Sequence, residues 1–400
     1  MKKVVSILLT LALFLAGCQA ADNSSLPTPP VDEATVPDAT VSETESFEVT
    51  DDPIVYEQEV MYAISLPLVA EYSYTANSEM NFSHTYQNIH IVHQDPEVAN
   101  SIILDFLNKM DAAHIRAAEV SEAAESEFMG TAFYYDVHYS PTRIDQIALS
   151  LYGTTSSYSG GNHPMHYSHA VNYNMLTGEL LTLGSILKHI DSKAQLVDLV
   201  IQKADLIAAE KQLYGDYADC IADRFSVEES FDQDWYFTST GLCFFFQTYE
   251  IAPYSSGIIT VEVPYSELTG IIADDFFPPE ADVFVGAVQC QLANSVDISG
   301  YTQMAELVLD PSGEQVLLYA DGAVRDVRIE SGYWNSDATE FTPICTVFAA
   351  NSLTPQDGIV VHTYIPDVLP NLRVSYLNGS ETVSLYLFQS GKDGSVFLSE

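Results

Sequence analysis

Residues 158–187, YSGGNHPMHYSHAVNYNMLTGELLTLGSIL, constrain what this chain can fold into more tightly than any other stretch. Gly160, Gly161 and Pro164 exclude a helix at its start, because glycine loses the most freedom on ordering and proline lacks the donor a helix needs. Beyond them, Tyr167, His169, Val171 and Tyr173 alternate with Ser168, Ala170, Asn172 and Asn174. Period two sends successive side chains to opposite faces, so the spacing predicts a half-buried strand. Leu176-Thr177-Gly178-Glu179 supplies a tight turn, and Leu180–Leu183 is expected to continue on its far side. A helix from about Asp191 to Tyr214 should follow, striped by Leu196, Leu199, Val200 and Ile207.

The flanking sequence supplies partners for that strand. Val55 to Pro67 and Asn88 to Val92 have strand composition. Asp95-Pro96 reads as an N-cap followed by proline at the first helical position. Val98, Ile102, Phe106, Leu107 and Met110 then recur at helical spacing, with Gly130 as a natural stop. Thr131–Tyr139 and Ile144–Tyr152 should pair through Ser140-Pro141-Thr142. Further on, Trp235–Phe237 and Leu242–Phe246 flank Ser239-Thr240-Gly241 as a hairpin. Tyr249 to Gly257 reads as a loop, Ile258–Val263 as a strand, and Pro264–Leu268 as the start of a short helix. Mixed strands with segregated helices predict an α+β region from about 54 to 275. It divides into a β-rich and helical part, 54–157, and a module at 158–275. Pro278-Pro279-Glu280 punctuates a boundary. After it, Gln315–Tyr319, Arg325–Ile329, Ile359–Tyr364, Arg373–Tyr376 and Val383–Phe388 alternate with Gly- and Asp-containing turns. That pattern predicts an all-β, sandwich-like domain over 281–400.

The N-terminus addresses location. Lys2 and Lys3 precede an apolar run from Val4 to Ala16, too short for a span of about 20 residues. Leu15-Ala16-Gly17-Cys18 resembles the bacterial lipobox, which implies a signal peptide at 1–17, cleavage before Cys18, and acylation of that residue, for instance with palmitate. Residues 18–53 carry Pro27, Pro29, Pro30, Pro37 and Pro53 among Ser, Thr, Asp and Glu. Such a segment cannot offset its chain entropy by burial and is expected to be a disordered tether. The expected location is the extracytoplasmic face of the cell membrane.

Charge excludes one class of partner. The chain has 14 basic and 56 acidic residues, net −42. No Lys or Arg lies between Lys3 and Lys109 or between Arg224 and Arg325. Such a field repels a phosphate backbone, so nucleic acid is not expected as a partner. A cationic partner would be steered toward it. Outside the membrane, disulfides are permitted. Cys220, Cys243, Cys290 and Cys345 allow either the pairs Cys220–Cys243 and Cys290–Cys345, which cross no domain boundary, or four buried free thiols.

No motif for nucleophilic, phosphate or zinc-protease chemistry occurs. His163, His166 and His169 cannot share a helical face, and an odd spacing on a strand separates His166 from His169. No catalytic residue, metal or cofactor is therefore expected. Loop aromatics are better candidates, since tyrosines beside Gly and Pro make good binding anchors. The candidate ligand- or partner-binding residues are Tyr158, Gly160, Gly161, His163, Tyr249 and Tyr254.

Gly160-Gly161-Asn162-His163-Pro164 with Asn172–Leu183, together with Phe237–Leu242 and Tyr249–Gly257, resembles a bacterial extracytoplasmic domain of unknown function. It is the outer domain of RsiV-type lysozyme-sensing anti-sigma factors, also found beside some peptidoglycan deacetylases. The resemblance covers about 54 to 275. It implies a cell-envelope setting and binding of an envelope ligand, such as peptidoglycan fragments or a cationic protein like lysozyme. The sigma-binding segment of those factors and the metal set of the deacetylases have no counterpart here, so neither activity carries over. The alternatives are an enzyme acting on cell-wall glycan and a purely structural surface lipoprotein.

Overall fold

The computed structural model describes residues 60–127, 130–226, 234–279, 284–337, 339–366 and 369–400. The expected signal segment, Cys18 and the tether lie outside them. In chain order the elements are β1 (Ala63–Ser65), β2 (Leu68–Tyr74), β3 (Met80–Gln87), β4 (His90–Val92), α1 (Pro96–Glu127), β5 (Phe133–Ile144), β6 (Ala148–Tyr158) and β7 (Met165–Asn174). Then come α2 (Leu183–Ile186), α3 (Ser192–Ala208), α4 (Tyr217–Ser226), β8 (Trp235–Phe237), β9 (Gly241–Phe246), β10 (Ile259–Pro264) and α5 (Tyr265–Leu268). The last stretch holds β11 (Val288–Leu292), β12 (Gln303–Val308), β13 (Glu314–Ala320), β14 (Val324–Trp334), β15 (Phe341–Leu353), β16 (Asp357–Thr363), β17 (Leu372–Asn378), β18 (Glu381–Gln389) and β19 (Val396–Ser399). The chain is α+β up to α5 and β-rich thereafter, as its pattern predicts.

A five-stranded sheet in the order β2-β3-β5-β6-β7 receives α1 on one face. Strands β3 and β5 are parallel, and α1 lies in the crossover that such a pair requires. Asp95 caps α1 through its Oδ1, which accepts from Glu97 N at 2.8 Å. Val98, Ile102, Phe106, Met110 and Ala113 form the buried stripe against Val137, Tyr139, Leu149, Leu151, Val171 and Tyr173. Leu107, expected on that stripe, is instead exposed.

The opposite face of this sheet meets a three-stranded sheet, β10-β9-β8, through Tyr152, Ala170, Tyr236, Cys243 and Phe245. Strand β7 is consequently covered on both faces from Ser168 onward, where period two alone predicts burial of one face. Strand β9 is buried throughout for the same reason: Phe244 and Phe246 face α3 and α4, while Cys243 and Phe245 face the larger sheet.

Two expectations about turns change. Strand β5 runs on through Pro141, and the reversal falls at 145–147. Asp145 Oδ1 accepts from Ile147 N at 2.8 Å and Ala148 N at 2.9 Å, so the carboxylate builds the turn. Pro141 sits where the ladder register shifts, a place where a strand tolerates a missing donor. After β7, Leu180 forms an isolated bridge back to Tyr173, with Leu181 N donating to Asn172 O at 2.8 Å. Thr182 then caps α2 in a reciprocal pair with Ser185, ending the expected strand.

The C-terminal strands form a sandwich of a seven-stranded sheet, β19-β18-β17-β14-β15-β1-β4, and a four-stranded sheet, β11-β13-β16-β12. Val316, Leu318, Ile359 and Val361 of the smaller sheet meet Val327, Ile329, Val347 and Val374 of the larger. Strand β1 pairs with β15, Ile64 opposite Ala349, so the larger sheet spans the division expected at 275–281. All four body cysteines are free thiols. The expected alternative of two disulfides is therefore not the arrangement adopted. Among the described residues, no helix is long and apolar enough to cross a membrane.

Candidate functional site

Two loops meet at the tip of the β6–β7 hairpin. Gly160 and Gly161 adopt φ +98° and +100°, a region open to glycine and costly for other residues. Tyr158 closes the turn by donating its hydroxyl to Gly161 O at 3.1 Å, and its ring packs edge-on against Phe133 at 5.7 Å. His163 is exposed, with Nδ1 at 2.9 Å from Pro164 O. A carbonyl only accepts, so Nδ1 carries the proton and Nε2 presents a lone pair to solvent.

The second loop is brought there by Gln247. Its side chain imitates a neighbouring strand, accepting from Ser168 N at 3.1 Å and donating to Ser168 O at 2.7 Å. Glu250 Oε2 accepts from Gln247 N at 2.7 Å, and Glu250 Oε1 pairs with Arg224 Nε at 3.0 Å. Arg224 also binds Asp234. Burial pushes both carboxyl groups up, against the pull of Arg224. One guanidinium thus ties α4, β8 and the loop together, and the two carboxylates are occupied in holding it.

The outcome is a ledge of rings tilted against one another. Tyr249 and Tyr254 lie 5.6 Å apart between centroids, and Tyr254 and His163 lie 5.0 Å apart. Tyr249 is 59% exposed and has φ +70°, a conformation uncommon for any residue with a Cβ and an outlier for a bulky one. Of the candidate residues, His163, Tyr249 and Tyr254 converge on this ledge. Tyr158, Gly160 and Gly161 shape the turn beneath it, and no ring contact joins Tyr158 to the other three. His166 is exposed, whereas His169 is half-buried, its ring edge-on to Tyr139 at 4.8 Å between centroids. Burial drives the His169 imidazole down to about 4.

The arrangement of exposed rings is suited to contact. Among the described residues, no three His, Cys, Asp or Glu side chains converge on one point. Two grooves indent the surface elsewhere. One, of about 480 Å³, lies between α3 and α5 and is lined by Gln195, Asp198, Leu199, Gln202, Glu267 and Ile271. The other, of about 410 Å³, lies between β2–β3 and α1, with His84 and His114 in its wall. Sequence reasoning missed this pair. Thirty residues separate the two histidines, one on a strand and one on a helix, and no local spacing marks them.

A hydrogen-bonded seam joins the two sheets. Asn172 Nδ2 donates to Trp235 O at 2.9 Å, Ser150 Oγ binds Asn172 Oδ1, and Phe237 N donates to Ser150 Oγ at 2.9 Å. This seam locks β6 and β7 to the β8–β10 sheet, so the loop at 247–257 has a fixed seat beside the hairpin.

The unit built by α3, α4, β8–β10 and the start of α5 is also the part that matches a known family. Residues 188–266 match the family described as "Protein of unknown function (DUF3298)". A solved DUF3298 family member from Bacteroides fragilis is 16% identical, covering 53% of this chain and 94% of its own, at a TM-score of 0.38. A DUF3298 family protein from Pseudomonas aeruginosa is 17% identical, covering 54% and 97%, at a TM-score of 0.37. No curated protein matches the chain. Residues 188–266, which seat the Tyr249–Tyr254 loop, are thus similar to DUF3298, a domain of unknown function.

Proposed function

We propose that this protein is a lipid-anchored binding or sensing protein of the bacterial cell envelope, which takes its ligand on the Tyr249–Tyr254–His163 ledge. The observation that carries this reading is Tyr249, a bulky exposed ring held at φ +70° and tilted against Tyr254. Strained, exposed residues persist where the surrounding structure holds them for use. Aromatic faces stack on the apolar face of a sugar ring, so soluble peptidoglycan fragments are the preferred ligand. A second reading, a cationic protein such as lysozyme, is favoured by the net charge of −42. The lipobox resemblance at Leu15–Cys18 and the proline-containing segment behind it support the anchored, extracytoplasmic placement.

Titration calorimetry with peptidoglycan fragments and with lysozyme tests this at low and physiological salt. Tyr254→Ala should weaken binding by about 10-fold or more, the loss typical of an aromatic anchor. A glycan ligand should bind with little salt dependence, whereas a cationic protein should lose affinity steeply as salt rises. Absence of binding to both ligands at low salt overturns the reading. Placement is tested by fractionation: Cys18→Ala should release the protein from membranes, and retention would refute the anchor.

A further inference from the structure

Strand β2 leaves one edge of the five-stranded sheet open. It is the outermost strand in the order β2-β3-β5-β6-β7. Asn88 N donates to Pro67 O at 3.1 Å and Thr75 N donates to Glu79 O at 2.8 Å, closing the β2–β3 ladder at its two ends. Antiparallel partners alternate between bonded and non-bonded pairs. Alternation from Pro67 turns the N–H and C=O of Val69, Glu71 and Ser73 toward β3, and those of Leu68, Ala70 and Tyr72 outward. Thr85, opposite Ala70, agrees: its N–H points away from β2 and donates to Asp136 Oδ1 at 2.9 Å. Among the described residues, nothing bonds the outward groups of Leu68, Ala70 and Tyr72.

Edge strands are ordinarily blunted by lysine, proline or a bulge. Pro67 precedes β2, and a register shift at Ser73–Tyr74 ends its straight run, but the residues between carry no such guard. Ala70, Glu71 and Tyr72 are exposed, Tyr72 by 56%. The two sides of this edge differ. Glu71 and Ser73 line the groove of about 410 Å³ whose opposite wall is His114, Ala117, Ala118 and Ser121 of α1. The 3.1 Å hydrogen bond between His84 Nε2 and His114 Nδ1 fixes that wall. Period two puts Tyr72 on the other side of the sheet. A strand laid against β2 would thus drop one row of side chains beside Glu71 and the other beside Tyr72.

Charge selects the occupant. No Lys or Arg lies between Lys3 and Lys109, so β2, β3 and the turn between them carry Glu71 and Glu79 and no basic residue. A second copy of this chain, itself at net −42, is repelled. A basic side chain beside Glu71 meets a carboxylate, and an arginine beside Tyr72 finds an aromatic face. We propose that the β2 edge docks an extended, basic segment of another protein, which joins the five-stranded sheet as a sixth strand. Main-chain bonds to Leu68, Ala70 and Tyr72 hold the segment, while Glu71 and Tyr72 select its side chains. The site is independent of the Tyr249–Tyr254–His163 ledge, which stands by β7 at the sheet's opposite edge.

Fluorescence anisotropy with a labelled hexapeptide of alternating arginine and valine, paired with amide hydrogen exchange, tests the site. The expected result is binding that weakens as salt rises, with exchange slowed at the amides of Leu68, Ala70 and Tyr72. Methylating the peptide's backbone nitrogens keeps its charge and removes its donors, and should weaken binding by about 10-fold or more. Ala70→Pro deletes an N–H that the β2–β3 ladder does not use, so it should keep the melting temperature and lose affinity by about the same factor. Glu71→Gln should weaken binding several-fold, and Tyr249→Ala should leave it unchanged. Absence of binding at low salt overturns the proposal, as does equal binding of the methylated peptide or a loss in Tyr249→Ala without one in Ala70→Pro.

Discussion

Arg143 Nη1 donates to the Tyr265 hydroxyl at 2.8 Å, joining the end of β5 to the start of α5 across 122 residues of chain. The same nitrogen donates to Phe276 O at 2.7 Å, and Nε donates to Asp145 Oδ2 at 2.7 Å. The guanidinium also lies over the Phe237 ring, 5.0 Å from its centroid. One side chain, 2% exposed, therefore braces the β5–β6 turn against the unit that seats the aromatic ledge.

Arg143→Met should destabilise the protein by about 3–5 kcal/mol, because it strands the Asp145 carboxylate in a buried site. Arg143→Lys should recover little of this, since the three donors of an ammonium sit on one nitrogen, whereas Arg143 reaches Asp145 through Nε and Tyr265 and Phe276 through Nη1. Urea unfolding monitored by tryptophan fluorescence measures both. A loss below about 1 kcal/mol for the methionine variant would show that the brace is dispensable.

Tyr249→Gly separates stability from binding. A left-handed conformation costs an L-residue about 1–2 kcal/mol, which glycine avoids at some cost in chain entropy. The variant should be as stable as the wild type or slightly more so, and should lose about 10-fold in ligand affinity. A drop in stability above about 1 kcal/mol would assign Tyr249 to packing.

Stability should fall in mild acid. The folded His169 titrates near 4, against an ordinary 6.5, so between those values the unfolded chain takes up a proton that the native state refuses. Its stabilising contribution is complete above pH 6.5 and declines by up to about 3 kcal/mol as pH drops toward 4. Burial shifts His84 and His138 in the same direction. Gly153 makes room for the ring: a Cβ there would lie 2.3 Å from His169 Nε2. His169→Gln should flatten the dependence of the urea midpoint on pH between 6.5 and 4. An unchanged slope would show that His169 is protonated in the folded protein.

The thiols should behave as isolated groups. Desolvation raises Cys243 to about 11 and Cys290 and Cys345 to about 12, leaving little thiolate at neutral pH. In protein bearing Cys18→Ser, a thiol reagent should label four cysteines after denaturation without reductant and label the native protein slowly. Fewer than four in the denatured protein would reveal a disulfide.

Strand β7, the β8–β9 hairpin, β10 and the capped start of α1 were legible in the chain because each is written locally. Alternation, helical spacing, the Asp95 cap and Gly-containing turns act over a few residues. Strand β15 was not legible. Phe341–Leu353 is an apolar run buried between β14 and β1, without the alternation that marks a half-exposed strand. The candidate site divides the same way. The glycines of 160–161 and the loop tyrosines stood out by composition, while their meeting depended on Gln247 clamping Ser168 from 79 residues away.

The sequence by itself determined which segments bury a face, how acidic the chain is, and that Gly160-Gly161 interrupts regular structure before β7. Only the tertiary structure decided that β1 lies beside β15, that β7 is covered on both faces, and that His84 meets His114. The physical reason is range. Periodicity records that a face leaves water, because burial of any apolar neighbour satisfies it. Which neighbour it meets depends on contacts between residues as far apart as Ile64 and Ala349, and no local pattern specifies them.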